Sequence, residues 1–390
     1  MMNNIKQSSV TIMLTGIVTL IAVMGIGRFS LTPQIPVMIS DGFLTLSTAG
    51  ILASMNYIGY LLGALHVSRM KSGHVGYLKA GLACTVLVTI LSGFTSEFEL
   101  QCFFRFVAGV GGAWALIIVT TWTQLSLATR QAPRLSAAVF TGPGLGITLS
   151  GLLAWCMSQY HLNSSQSWII YGAVSLIAMV AIWRQLPAKL ESVPATATKN
   201  KVSSSIKKLI IIYTLAGFGY ILPATFLSQM AHSAFPGSQL SAFFWPLFGI
   251  SAVTGVVLVI LSQGKFDTRI SLSLAMIFQG AGVSASVIIP GAPGLLISTI
   301  LTGLGFLSIM QLTMRFAREL TNGSLAGTVG LLTSGYATGQ LTGPLISSLS
   351  LSLFGSLEEA ILLASCCLIA GGLIVIGIKS RSLQNEAKIA

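Results

Sequence analysis

Apolar residues run through this chain in long blocks separated by short polar gaps, and the blocks have the length of membrane-crossing helices. A bilayer core needs about 20 predominantly apolar residues per helix. Twelve blocks meet that requirement, at 10–38, 46–66, 75–94, 98–121, 134–157, 166–184, 206–230, 240–262, 269–289, 294–315, 325–350 and 357–379. The pattern predicts an all-α membrane protein of twelve transmembrane helices. The first block is too long for the apolar core of a signal peptide and is taken as a span.

The basic residues test that count. Of 21 Lys and Arg, 19 fall in or at the edges of alternate gaps, starting with Lys6 before the first block and ending with Lys379, Arg381 and Lys388 after the last. The other two, Arg28 and Arg105, lie inside apolar blocks. The gaps between hold acids instead, at Asp41, Glu97, Glu99, Glu358 and Glu359. Lys and Arg collect on the cytoplasmic side of membrane proteins. The expectation is a multi-pass protein of the bacterial inner membrane with both termini cytoplasmic.

Composition changes the picture only by excluding classes. Charged residues make up 8% of the chain, against roughly 25% in soluble domains. The net charge of +12 is spread over short loops, so it reads as topology rather than as a nucleic-acid surface. The five cysteines sit in or beside apolar blocks and form no disulfide or metal-ligand pattern. No Walker A motif is present, and no catalytic His, Asp or Glu lies at depth. The chain is therefore read as no enzyme, with no cofactor and no bound metal.

The sixth gap is the longest and holds Pro187, Pro194 and a Ser/Thr/Ala-rich stretch, the signature of a polar linker. It divides the chain into an N-terminal bundle at 1–184, a linker at 185–207 and a C-terminal bundle at 208–390. Echoes connect helix n with helix n+6. Gly25–Pro33 (GIGRFSLTP) pairs with Gly217–Pro223 (GFGYILP), Thr141–Gly146 (TGPGLG) with Thr338–Gly343 (TGQLTG), and Gly109/Gly111 with Gly303/Gly305. Two pseudo-symmetric six-helix bundles form the major facilitator architecture, where solute binds near the midplane between the halves.

Particular motifs carry a family resemblance. Arg105–Gly109 (RFVAG) resembles the Arg-x-x-x-Gly motif of the fourth span in major facilitator proteins, and Gly142–Gly146 (GPGLG) resembles the Gly-Pro-x-x-Gly motif of exporters. The second gap, Gly63–Gly73 (GALHVSRMKSG), keeps the basic residues of a further motif of that superfamily but lacks its Asp. The Gly25–Pro33 segment together with Ala49–Ala64 is similar to the YbfB/YjiJ family of bacterial major facilitator transporters. That resemblance implies the fold and a transport role, and no particular substrate.

Arg28 and Arg105 need explaining. A charge at the bilayer centre costs about 2.5–3.5 kcal/mol on insertion scales, and Arg does not shed its proton. By helix rise, Arg28 lies roughly 15 Å and Arg105 roughly 10 Å from the outer ends of their spans. They are expected in one half, at similar depth, facing water. Two roles stay open for each: an anion site whose missing partner is a carboxylate or similar group on the solute, or a structural role in which Arg28 donates to carbonyls freed around Gly25, Gly27, Pro33 and Pro36 while Arg105 braces the half against backbone carbonyls. For Arg105 a third is open, tuning a group that carries a proton.

Asn56, Tyr60, Trp114, Tyr220, Trp245, Gln311 and Gln340 are the polar and aromatic candidates at depth. Each alone suits an interhelical hydrogen bond; together they suit a solute site, and the aromatics favour a solute with an apolar or ring portion. Gly25, Gly27, Pro33, Gly109, Gly142, Pro143, Gly146, Gly339, Gly343 and Pro344 are read as packing and hinge positions. Arg69 and Lys71 are read as a cytoplasmic gate. The function that results is a secondary transporter working by alternating access as a monomer on a small anionic or amphipathic metabolite, with export favoured. A proton-coupled multidrug exporter of neutral or cationic compounds is the alternative. It would be expected to hold buried acids, and the spans hold none. Protons remain the candidate coupling ion. The partners expected are the small solute and the lipid bilayer, with no nucleic acid.

Overall fold

With no water in the hydrocarbon core, each apolar block must satisfy its own backbone, and an α-helix does so within one segment. The computed structural model describes residues 7–189, 203–321 and 325–378 (for 325–327 the backbone alone), and in it every block is helical. The helices are α1 (Ser9–Ser40), α2 (Leu46–Arg69), α3 (His74–Leu91), α4 (Phe98–Ala128), α5 (Pro133–Gln159), α6 (Ser164–Ile182), α7 (Ser204–Ala234), α8 (Gln239–Leu261), α9 (Thr268–Ile288), α10 (Ala292–Leu320) and α12 (Glu358–Ile376). Among the described residues these eleven are long and apolar enough to cross a membrane. With α11, Leu325–Phe354 and thirty residues long, they make twelve.

Polar side chains begin several helices by taking up amide protons that have no intrahelical partner. Ser8 accepts from the Thr11 amide ahead of α1. Thr45 with Thr48 and Asn163 with Gln166 form reciprocal capping boxes ahead of α2 and α6. Asp267 accepts from two amides at the start of α9.

Helix ends differ from the expected blocks. α4 continues to Ala128 and α10 to Leu320, beyond the 121 and 315 set by apolar content. Arg315 and Arg318 therefore ride on the last turns of α10 rather than in a loop. The basic and acidic loops lie on opposite faces of the bundle, called here the basic face and the acidic face. Of the expected linker at 185–207, residues 190–202 lie outside the described residues, as do Lys6, Lys379, Arg381 and Lys388.

Packing repeats between the halves. In the first, a Cβ on Gly25 of α1 would lie 2.2 Å from Gly146 Cα of α5. In the second, a Cβ on Gly339 of α11 would lie 2.1 Å from the Thr214 carbonyl of α7. Likewise α2 meets α4 at Gly59 and Gly109, while α8 meets α10 at Gly255 and Gly303, each glycine placing a would-be Cβ within 2.7 Å of a backbone carbonyl. Side chains larger than hydrogen would hold these helices apart. Gly142 packs on Ile17 and Leu20, and Gly343 on Ile221. Pro143 sits in the first turn of the Gly142–Gln159 segment, where a proline costs no hydrogen bond. Pro344 lies inside α11. The halves meet through α1 with α7, α2 with α11, and α5 with α8.

Candidate functional site

Helix α1 is not regular. It is α-helical over Ser9–Leu20, π-helical over Ile21–Ile26, loose over residues 27–30, and α-helical again from Leu31. The amides of Gly27 and Phe29 reach back five residues, to the carbonyls of Ala22 and Met24. Gly25 and Gly27 permit this wide turn, and Pro33 lies in the first turn of the helix that follows. Insertions of this kind cluster at functional sites. Arg28 sits in the break.

The Arg28 side chain is 6% exposed. Its guanidinium carbon lies 4.5 Å from the Tyr60 ring centre, 4.7 Å from Tyr57 and 5.3 Å from Phe29, all within cation–π range. Nη2 donates to Gln340 Oε1 of α11 at 2.8 Å, and Gln340 Nε2 donates to the Tyr220 hydroxyl of α7. Nε is buried with no partner. Among the described residues the ion pairs are Arg269–Asp267 and Arg315–Glu319, at helix ends on the basic face; no carboxylate pairs with Arg28.

The opposite wall is a ladder of near-parallel rings. Tyr213 stacks on Tyr336 with centres 4.3 Å apart, Tyr336 on Tyr220 at 5.7 Å, and Tyr220 on Phe306 at 4.5 Å. Phe306 then meets Phe29 edge-on, and Phe29 leans on Trp245. Tyr220, the repeat counterpart of Arg28, thus touches it through one amide.

Arg105 departs from expectation. It is fully buried and faces the interior of the first half rather than water. Nη1 donates to the Gly27 carbonyl at 3.1 Å, Nη2 contacts Ser92 Oγ at 3.3 Å, and the guanidinium lies 4.5 Å from the Trp168 ring centre. The carbonyl that the break in α1 sets free is thereby capped by a cation from α4. Arg28 and Arg105 share a half but occupy separate environments.

The remaining candidates scatter. Asn56 donates to the Arg105 carbonyl and ties α2 to α4. Trp245 donates to Ser150 Oγ across the halves at 3.2 Å. Gln311 reaches the Ala137 carbonyl near the basic face. Trp114 packs with His66 and Tyr77 inside the first half, away from the Arg28 cluster. Arg69 and Lys71 are exposed at the end of α2 and in the following loop. Tyr60, Tyr220 and Gln340 are therefore the candidates that gather round Arg28. Tyr57, Phe29, Phe306, Tyr336 and Tyr213 complete the cluster without standing out in the sequence. Helical spacing carried the signal for two of them: Tyr57 is three residues before Tyr60 and Tyr336 four before Gln340, each pair on one helix face.

Hydrogen bonds across the seam are unevenly placed. Thr32 Oγ1 to the Ala224 carbonyl at 3.1 Å, Tyr57 to Thr225 at 3.3 Å, Ser348 to the Ser47 carbonyl at 2.9 Å and Gln239 to Gln159 at 2.9 Å lie between Arg28 and the acidic face. Beyond them a cavity of about 530 Å³ opens at that face, lined by Gln34, Asp41, His161 and His232 among others. Asp41 is held there by the Ser164 amide at 2.7 Å.

Twelve helices in two repeated halves are the architecture of the major facilitator superfamily. Residues 20–376 match the family described as "Uncharacterised MFS-type transporter YbfB", and the chain belongs to that family. It is 24% identical over 271 residues to "Uncharacterized MFS-type transporter YceJ" of Bacillus subtilis (strain 168), a match spanning 65% of each chain. Its fold resembles the crystal structure of a point mutant of the nucleoside transporter NupG, with a TM-score of 0.69 and 13% identity over 95% of this chain and 99% of that one.

Proposed function

We propose that this protein is a secondary transporter that carries a small organic anion with an apolar or ring portion across the bacterial inner membrane, with Arg28 as the anion-binding group. The observation that carries the reading is a buried guanidinium at the junction of the halves whose Nε lacks a partner and which no carboxylate among the described residues neutralises. A buried charge without a counter-ion is costly, and an anionic solute supplies one. The surrounding rings match the apolar part of such a solute. The absence of acids from the spans around this site weighs against a cation exporter.

Alternating access fits the seam: most of its hydrogen bonds lie between Arg28 and the acidic face, with Gln311 to the Ala137 carbonyl on the basic side, so opening the acidic face requires the halves to part there. The similarity of Gly142–Gly146 to the exporter motif supports outward movement. The test is uptake of radiolabelled aromatic and aliphatic carboxylates by proteoliposomes and inside-out vesicles containing the wild type, Arg28→Ala or Arg28→Lys. Uptake that survives Arg28→Ala unchanged sinks the reading.

A further inference from the structure

Gln340 is 2% exposed and belongs to neither half's packing alone. Its amide oxygen accepts from Arg28 on α1, and its amide nitrogen donates to Tyr220 on α7. The bond from Arg28 crosses the seam; the bond to Tyr220 stays within the second half. A guanidinium buried at this depth needs an acceptor at every stage of a transport cycle, including the stage with no solute. A carboxylate there would neutralise it permanently. A neutral amide holds it by one hydrogen bond with no opposing charge, so a carboxylate, which can form two parallel bonds to the guanidinium, can displace it.

The geometry of the guanidinium adds a second point. Nε–H and the Nη2–H it flanks project from the same edge of the plane, the edge on which a carboxylate binds with two parallel hydrogen bonds. Gln340 Oε1, a single oxygen, takes Nη2 and leaves Nε bare and buried. An anion with two coplanar oxygens placed where that one oxygen sits would satisfy both.

We propose that Gln340 is a built-in surrogate for the solute. Its carbonyl occupies the position on Arg28 that the solute's carboxylate takes, and binding displaces it. Displacement removes the Arg28–Gln340 link between the halves and leaves Gln340 on Tyr220. The empty carrier is therefore latched at its midplane, and a carboxylate is what unlatches it. The same competition sets specificity: a neutral solute with one carbonyl gains nothing over Gln340, whereas a carboxylate gains the second bond. This proposal rests on Arg28 being the anion site.

The test uses the full-length protein in nanodiscs, with benzoate as the carboxylate probe and benzamide as its neutral counterpart, and spin labels on α1 and α11 to report the distance between halves. In Gln340→Leu the competitor is gone, and benzoate affinity is expected to rise roughly tenfold, as for removal of one hydrogen bond to a charged group. In Gln340→Glu the internal carboxylate fills the edge and benzoate binding is lost. With no solute added, the α1–α11 distance distribution broadens in Gln340→Leu and narrows in Gln340→Glu. A merely structural glutamine would give losses in both variants rather than opposite signs. Benzoate affinity unchanged or weakened in Gln340→Leu, or an unchanged distance distribution, overturns the proposal. So does benzamide binding as tightly as benzoate, or benzoate binding to neither the wild type nor Gln340→Leu. Loss of benzoate in Arg28→Ala together with no gain in Gln340→Leu removes the surrogate role alone; benzoate binding retained in Arg28→Ala removes the anion site with it.

Discussion

Replacing Gly25 by alanine adds one methyl group where α1 and α5 cross backbone to backbone. That carbon would stand 2.2 Å from Gly146 Cα, 2.6 Å from its carbonyl carbon and 3.0 Å from its oxygen. Non-bonded carbons settle at about 3.5–4.0 Å, so α1 and α5 must part by more than about 1 Å. The obstacle is backbone, which has no rotamer to retreat into. Nor is α5 free to yield, because behind it Gly151 lies against Pro246 and Gly144 against Val253 of the other half. Overpacking of this kind costs about 1–3 kcal/mol. At roughly 2–4 °C per kcal/mol, the scale for a unit the size of one bundle, the melting temperature should fall by about 2–12 °C. Arg28 is three residues further along the displaced helix, so transport should fall as well. Gly76→Ala is the control, since a Cβ there meets nothing within 4 Å and a helical position gains from alanine. The assay is thermal unfolding of both variants in one detergent, with uptake measured in parallel. A Gly25→Ala protein that melts and transports like the wild type would refute the close-crossing argument.

Other outcomes follow from the contacts described. Arg105→Leu strips the cap from the Gly27 carbonyl at a cost of about 1–3 kcal/mol and should both lower the melting temperature and weaken anion binding, measured by thermal shift with benzoate; an unchanged benzoate shift would show that the brace does not position Arg28. Asp41→Ala, by removing the acceptor of the Ser164 amide at the start of α6, should cost about 0.5–2 kcal/mol without changing solute affinity, which unfolding and binding read separately. Trp245→Phe keeps the stacked rings and loses the bond to Ser150; labels on α5 and α8 should then report a looser seam, and an unchanged separation would contradict the role given to that bond.

The fold was legible because its determinants are linear. Span length, basic-loop alternation and the n to n+6 echoes are all periodic along the chain, and the glycine echoes became backbone crossings at Gly25/Gly146 and Gly339/Thr214. The candidate site was legible in part. Arg28 announced itself as a charge in an apolar block, and Tyr220 as its repeat partner. Arg105 did so equally loudly and turned inward, because what decides its direction is a carbonyl freed by the π-turn of α1. A local break in hydrogen bonding has no signature in residue type beyond two glycines. Trp114 and Gln311 were assigned by depth alone; depth does not tell which way a helix face points, and neighbours on α2, α3 and α5 settled that. The ring ladder has no linear signature because its members come from three helices far apart in sequence.

That ladder gives the protein an optical property of its own. Tyr213, Tyr336, Tyr220 and Phe306 are ultraviolet chromophores in near-parallel planes, with successive centres 4.3, 5.7 and 4.5 Å apart, close enough for their electronic transitions to couple. Coupled transitions in a chiral array give near-ultraviolet circular dichroism that depends on the angles between the rings. Tyr220 is the rung that also holds Gln340, so a rearrangement at that amide that turns the Tyr220 ring is expected to be visible in the near-ultraviolet spectrum without any label.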